Sequence, residues 1–68
     1  MPKALSRLTA KEAEKYLLHA GFELSRQKGS HRIYRKGSYR MVLPWHQGKI
    51  LHPKIIKELF DVLEESGS

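Results

Sequence analysis

The chain contains no cysteine among its 68 residues. Disulfide bonds, thiolate metal sites and cysteine nucleophiles are therefore excluded. Long hydrophobic runs are also missing, because the longest uncharged apolar stretch is residues 41–45, which is far too short to span a bilayer. The first eight residues lack the apolar core of a signal peptide. These absences predict a cytoplasmic protein with no membrane partner.

Acidic residues are missing from the middle of the chain. Residues 26–49 contain seven lysines and arginines and no aspartate or glutamate, whereas residues 58–65 hold four of the chain's seven acids. The formal net charge is +6. A concentrated basic segment favours a polyanionic partner, usually a nucleic acid, over a merely basic and soluble surface.

The length allows one domain with a modest core. We predict a single domain over residues 1–68, folded between about residues 9 and 65, with a loose leader at residues 1–8. The first helix is predicted to begin at Thr9, because Thr9 and Glu12 have the spacing of a capping box. Gly21 is expected to end it. The apolar stripe of this helix consists of Ala13, Tyr16, Leu17 and Ala20.

Three strands are predicted after the first helix. Apolar and polar residues alternate from residue 22, as expected for a strand with one buried face. Lys-Gly-Ser sequences at residues 28–30 and 36–38 predict turns. Pro44 ends the third strand or lies on an edge, because proline cannot donate to a ladder. The predicted strands are residues 22–27, 31–35 and 39–43.

A second helix is predicted from Pro53, which suits a first helical turn. Its core stripe consists of Ile56, Leu59, Phe60 and Leu63. The predicted fold class is therefore α+β, with the order α-β-β-β-α. Two amphipathic helices would cover one face of a three-stranded antiparallel sheet and leave the other face in solvent.

The densest group of reactive residue types is Lys28-Gly29-Ser30-His31-Arg32. Gly29 permits a tight turn, and Ser30 offers a hydroxyl. Imidazole exchanges protons near neutral pH, and the flanking cations suit phosphate binding. A base beside bound phosphate is what RNA cleavage needs, because the ribose 2′-OH must lose a proton to attack phosphorus. By spacing alone, an unreactive surface histidine beside a turn remains the competing interpretation.

The other histidines have weaker patterns. His46 could transfer a proton, contact phosphate or simply lie in a loop, and His52 has the position of a helix cap before Pro53. His19 falls near the end of the first helix, where the helix dipole favours a cation. The four histidines form no close pair, and residues 26–49 offer no carboxylate, so we expect no metal site and no cofactor.

The face on which His31 lies depends on the strand register. If Ile33 points inward, then His31 and Arg35 share its side, and His31 must sit at the rim. If Tyr34 points inward, His31 lies on the open face. Aromatic residues among basic ones can stack on unpaired bases or fill the packed side of the sheet; here they are Tyr34, Tyr39 and Trp45.

Two segments resemble the HicA family of bacterial and archaeal toxins. One is residues 17–35, LLHAGFELSRQKGSHRIYR, in which a Gly-Ser-His element follows an Ala-Gly-Phe helix end. The other is residues 42–46, Val-Leu-Pro-Trp-His, which is similar to the family's V-x-P-x-H segment. The likeness covers about residues 9–63. The end of the second helix departs from it, because Glu64-Glu65-Ser66-Gly67 stands where many members have an Ala-Gly-hydrophobic element.

The resemblance implies a fold similar to double-stranded RNA-binding domains. It also implies a toxin of a type II toxin–antitoxin system that cleaves messenger RNA and is neutralised by a HicB-type antitoxin. Because the sequence shows no metal-ligand cluster, we expect this cleavage to be independent of a metal. The family's catalytic histidine corresponds to His31, and a histidine of less settled role corresponds to His46. The expected RNA-binding residues are Arg26, Lys28, Gly29, Ser30, Arg32 and Lys49. A non-catalytic RNA-binding module and an inactive relative that pairs with a regulatory partner are the alternatives.

Overall fold

The computed structural model describes residues 7–46 and 48–67, which form five elements in the predicted order α-β-β-β-α. Residues 1–6 of the predicted leader lie outside the described residues, as do Gln47 and Ser68. No helix in the described ranges combines the length and the apolar character needed to cross a membrane. The elements are α1 (Ala10–His19), β1 (Glu23–Lys28), β2 (His31–Lys36), β3 (Tyr39–Pro44) and α2 (Pro53–Gly67).

The predicted capping box begins α1. The Thr9 backbone N–H donates to the Glu12 carboxylate over 2.9 Å, and the Glu12 backbone N–H donates to the Thr9 hydroxyl over 3.3 Å. Gly21 follows the helix with φ +100°, a left-handed conformation that glycine adopts without steric cost. The Phe22 N–H then donates to the Leu17 carbonyl, which satisfies a terminal backbone acceptor. The predicted start and end of this helix are therefore confirmed.

The three strands form an antiparallel meander in the order β1-β2-β3. Two-residue Gly-Ser turns join them, and Gly29 and Gly37 both have φ +59°. Glycine with positive φ at the first of two central residues is the pattern of a type II′ hairpin turn. Strand β1 begins and ends one residue later than predicted, and β2 and β3 each extend one residue further.

Both helices pack on the same face of the sheet, as predicted. Tyr34 and Leu43 are fully buried under them, and Met41 is nearly so. Two side chains of β2 reach the helices directly: the Tyr34 hydroxyl donates to Glu14 in α1, and the Lys36 ammonium donates to the Ser66 carbonyl in α2. The opposite face of the sheet is not covered by either helix.

The segments that precede the two helices are paired with each other. Thr9 and Ile50 form an isolated antiparallel bridge, and the Leu51 N–H donates to the Leu8 carbonyl over 2.7 Å. Leu8 and Leu51 are both buried in the core. The predicted loose leader is therefore wrong at Leu8, because burial and a backbone hydrogen bond tie this residue to the fold.

Candidate active site

His31 lies on the open face of the sheet. It is the first residue of β2, where it pairs with Lys28 of β1 and Pro44 of β3, and it is exposed. Tyr34 is fully buried under the helices, and strand side chains alternate between faces. His31, Ile33 and Arg35 must then face away from the helices. Of the two predicted registers, the one in which Tyr34 points inward is correct.

A β-bulge in β1 places two cations on the His31 face. The register shifts between Leu24, which pairs with Tyr34 on the helix side, and Arg26, which pairs with Ile33 on the open side. In a regular strand Leu24, Arg26 and Lys28 would all point the same way, because they are two residues apart. The extra residue at Ser25 separates them. Arg26 and Lys28 therefore share the open face with His31, and both are exposed.

The Gly29-Ser30 turn is anchored from both sides. The Gln27 side-chain amide donates to the Gly29 carbonyl over 3.2 Å, and the Trp45 backbone N–H donates to the Ser30 carbonyl. The second bond extends the β2–β3 ladder beyond His31. A Cβ at Gly29 would meet no other atom within 4 Å, so this glycine is needed for its positive φ and leaves open space above the turn.

Arg32 is the one predicted RNA-binding residue on β2 that faces the helices. Its guanidinium donates to the Glu14 carboxylate over 3.0 Å and lies 3.9 Å from the centre of the Trp45 ring. The side chain is only 25% exposed. The structure therefore does not bring Arg32 together with His31, and phosphate binding by Arg32 would require its guanidinium to leave Glu14.

Tyr34 shares the carboxylate that Arg32 binds. Its hydroxyl donates to Glu14 over 2.6 Å. Burial raises the pKa of Tyr34 well above its usual value, the hydrogen bond and the negative charge of Glu14 raise it further, and Arg32 opposes the shift. Glu14 thus holds α1, β2 and, through Arg32, Trp45 in one arrangement.

His46 and Lys49 lie beyond the end of β3, close to the strand position that pairs with His31. The Lys49 N–H donates to the His46 carbonyl over 3.1 Å and closes a turn in which Gly48 has φ +77°. A cleft beside Pro44 is lined by His46, Lys49 and His52 among others. Pro44, which lines this cleft, pairs directly with His31, whereas His31 itself is not among the lining residues.

Residues 10–67 match the family described as the HicA toxin of bacterial toxin–antitoxin. The match covers most of the chain and includes every candidate site residue. The chain belongs to the HicA toxin family. The resemblance seen in the two sequence segments is thereby confirmed. Neither curated proteins nor solved structures gave a match.

The two remaining histidines of this HicA family member, His19 and His52, lie at helix ends. The Nδ1 atom of His52 accepts the Lys54 backbone N–H over 3.0 Å, so His52 caps α2 as predicted. His19 is exposed in the last turn of α1. Across residues 7–46 and 48–67, no three histidine or acidic side chains are grouped so that they could hold a metal ion.

Two further cations on the His31 face of this toxin, Arg35 and Arg40, are not among the RNA-binding residues predicted from the sequence. They pair directly across β2 and β3. Both are exposed. A signal was present in the sequence: a two-residue loop at Gly37-Ser38 pairs Lys36 with Tyr39 and therefore Arg35 with Arg40. Fixing the face of this pair required the buried position of Tyr34.

Proposed function

We propose that this HicA family member is an endoribonuclease that cleaves messenger RNA, with His31 as its proton-transfer residue. The observation that carries the proposal is the placement of His31. It is exposed on an open sheet face, Lys28 lies directly opposite it, and Arg26 stands two residues along the same strand as Lys28. The two cations supply phosphate contacts, and the imidazole supplies proton transfer at the same end of the sheet.

In this mechanism His31 removes the proton from a ribose 2′-OH. The 2′ oxygen then forms a bond to the adjacent phosphorus, and the bond from phosphorus to the 5′ oxygen breaks. The leaving oxygen takes up a proton, from protonated His31 or from water. Lys28 and Arg26 stabilise the negative charge that accumulates on the phosphate oxygens. DNA would not be cut in this way, because it lacks the 2′-OH.

His46 and Lys49 are proposed to contact RNA at the Pro44 side of the same end. Their turn is closed by a backbone hydrogen bond, and their cleft adjoins the strand position beside His31. The open space above Gly29 lets a phosphate approach the backbone of the turn at Ser30. A HicB-type antitoxin is proposed to neutralise the toxin by covering this basic face with an acidic or apolar surface.

The test compares RNA cleavage by the unmodified chain, His31→Ala and the matched control His19→Ala. Loss of His31 is expected to lower the cleavage rate by about 100-fold or more, because a positioned proton-transfer group contributes at least that much. His19 is an exposed histidine on α1, so its loss is expected to leave the rate unchanged. Wild-type cleavage by the His31→Ala chain would overturn the assignment.

A second measurement separates 2′-OH attack from metal-assisted water attack. Cleavage is expected to persist in chelator and to stop on an RNA that carries one 2′-deoxy nucleotide at the cut position. Cleavage that requires a divalent ion, or that passes the deoxy substitution unchanged, would move the chemistry to water and leave His31 as a binding residue. RNA binding without any cleavage would favour the non-catalytic module.

A further inference from the structure

Two arginines face each other on the open side of the sheet without a visible structural reason. Arg35 and Arg40 are directly opposite in β2 and β3. Like charges at such positions are destabilising. Within the described residues neither guanidinium makes an ion pair or a side-chain hydrogen bond, although Glu23 pairs with Arg35 in register on the other side. Glu23 lies next to Arg35 on the same face but forms no ion pair with it, so the two guanidinium groups remain open to an anion from outside the domain.

The pair stands in line with His31. Arg35 lies four residues beyond His31 on β2, which places it about 13 Å further along the strand on the same face. Between them, Ile33 and Val42 form a half-buried apolar pair, and Arg26 lies beside Ile33 on β1. The open face thus has cations at both ends and along one edge of a small apolar centre, and Glu23 lies beside Arg35 at the far end.

We infer that Arg35 and Arg40 form a second phosphate-binding subsite for the RNA substrate. An extended strand with one phosphate at His31 would run along β2, cover Ile33 and Val42 with a base or ribose, and present a later phosphate to the two guanidinium groups. A polymer with regularly spaced charges can engage both ends at once, which favours RNA over an acidic protein. This inference rests on the proposed function, since it takes RNA as the substrate.

The experiment measures RNA affinity in a His31→Ala background, so that the RNA stays intact during the titration. Binding of a fluorescent oligouridylate dodecamer is followed by anisotropy over a series of salt concentrations. The variant is Arg35→Gln with Arg40→Gln. The charge-matched control is Lys15→Gln with Lys57→Gln, which removes two exposed cations from the helices on the other side of the sheet.

The arginine variant is expected to bind more weakly and to lower the slope of log affinity against log salt by about 1.4, because two single-strand phosphate contacts are lost. The control is expected to keep the original slope. Arg35→Lys with Arg40→Lys retains the charges and should restore most of it. The melting temperature of the glutamine variant should be unchanged or raised, because a like-charge contact is removed.

An unchanged slope in the arginine variant, or an equal loss in the control, would overturn the subsite. Intact RNA binding with loss only of association with a HicB-type antitoxin would overturn it as well, since the pair would then belong to a protein interface. Failure of the proposed catalysis is seen separately, as wild-type cleavage by His31→Ala. The binding readout does not depend on that result.

Discussion

His31 and Arg32 are adjacent in the sequence but have opposite roles in the structure. His31 points into solvent, whereas Arg32 points under the helices and binds Glu14 and Trp45. The difference follows from strand alternation, which turns neighbouring side chains to opposite faces. Arg32 is therefore linked to the Gly29-Ser30 turn from the helix side of the sheet. Its guanidinium packs on the Trp45 ring, and the Trp45 backbone N–H donates to the Ser30 carbonyl.

Tyr34 gives a prediction at this scale. Its raised pKa means that the folded protein holds the phenolic proton more tightly than the unfolded chain does. The resulting stabilisation is complete below the unfolded pKa of about 10 and is lost as pH rises through the higher folded value. Tyr34→Phe removes this contribution. The difference in unfolding free energy between the two proteins is expected to stay constant up to about pH 9 and to shrink as the pH rises above about 10.

Urea unfolding at each pH measures that difference. Tyr16→Phe is the control, because its ring is exposed and packs edge-on against Phe60 at 5.5 Å between ring centres. It corrects for alkaline titration elsewhere in the chain. A constant difference between wild type and Tyr34→Phe over the whole range would contradict a coupling between the Tyr34 proton and folding.

Local interactions define the ends of the helices, the two hairpin turns and an irregularity in β1. α1 has a capping box, the two hairpins have Gly-Ser turns, β1 has a bulge, and α2 has a histidine cap. The bulge in β1 changes the face to which the following side chains of the strand point. The turn pairs Lys28 with His31 on the open face, whereas Leu24 pairs with Tyr34 on the helix side. The extra residue in the bulge allows both pairings within one strand.

The cap of α2 is testable by exchange of a single residue. His52→Ala removes the acceptor for the Lys54 N–H and is expected to lower the unfolding free energy by about 0.5 to 2 kcal/mol. His52→Asn provides another side-chain acceptor at the same position and should retain the stability. Chemical denaturation of the three proteins measures both effects. Equal stability of the alanine and histidine forms would show that the bond contributes nothing.

At the scale of the whole molecule, a domain of 68 residues buries little surface and has a small margin of stability. Polar contacts between the helices and the sheet are then important for stability. Glu14 joins α1 to Arg32 and Tyr34 of β2, and Lys36 joins the same strand to the end of α2. These contacts lie on the helix side of the sheet, so they do not occupy the open face.

Loss of Glu14 should therefore have a larger effect than loss of an exposed acid. Glu14→Ala leaves the fully buried Tyr34 and the partly buried Arg32 without their acceptor and is expected to cost about 1 to 3 kcal/mol. Asp61→Ala breaks only the exposed pair with Lys57 at 3.0 Å and should cost at most about 0.5 kcal/mol. Thermal and urea unfolding compare the two. Similar losses for both variants would contradict a central role for Glu14.

Local sequence patterns were enough to predict the elements and their order. Thr9 with Glu12, the two Gly-Ser turns and the apolar stripes act through residues close together in the chain, so their outcome is local. The sequence also predicted the family, which is confirmed, whereas the role of His31 stays a prediction. Strand ends were missed by one residue, and the burial of Leu8 was missed because it depends on a contact with Leu51, far along the chain.

Which side chains meet was decided by tertiary packing. A shift of one residue in register turns every side chain of a strand to the other face, so the sequence left the face of His31 open until Tyr34 was found buried. The same fact places Arg35 and Arg40 on the same face as His31 and turns Arg32 away to Glu14. The bulge at Ser25 adds Arg26 and Lys28 to the His31 face. These outcomes depend on packing across the whole sheet, which local sequence patterns do not specify.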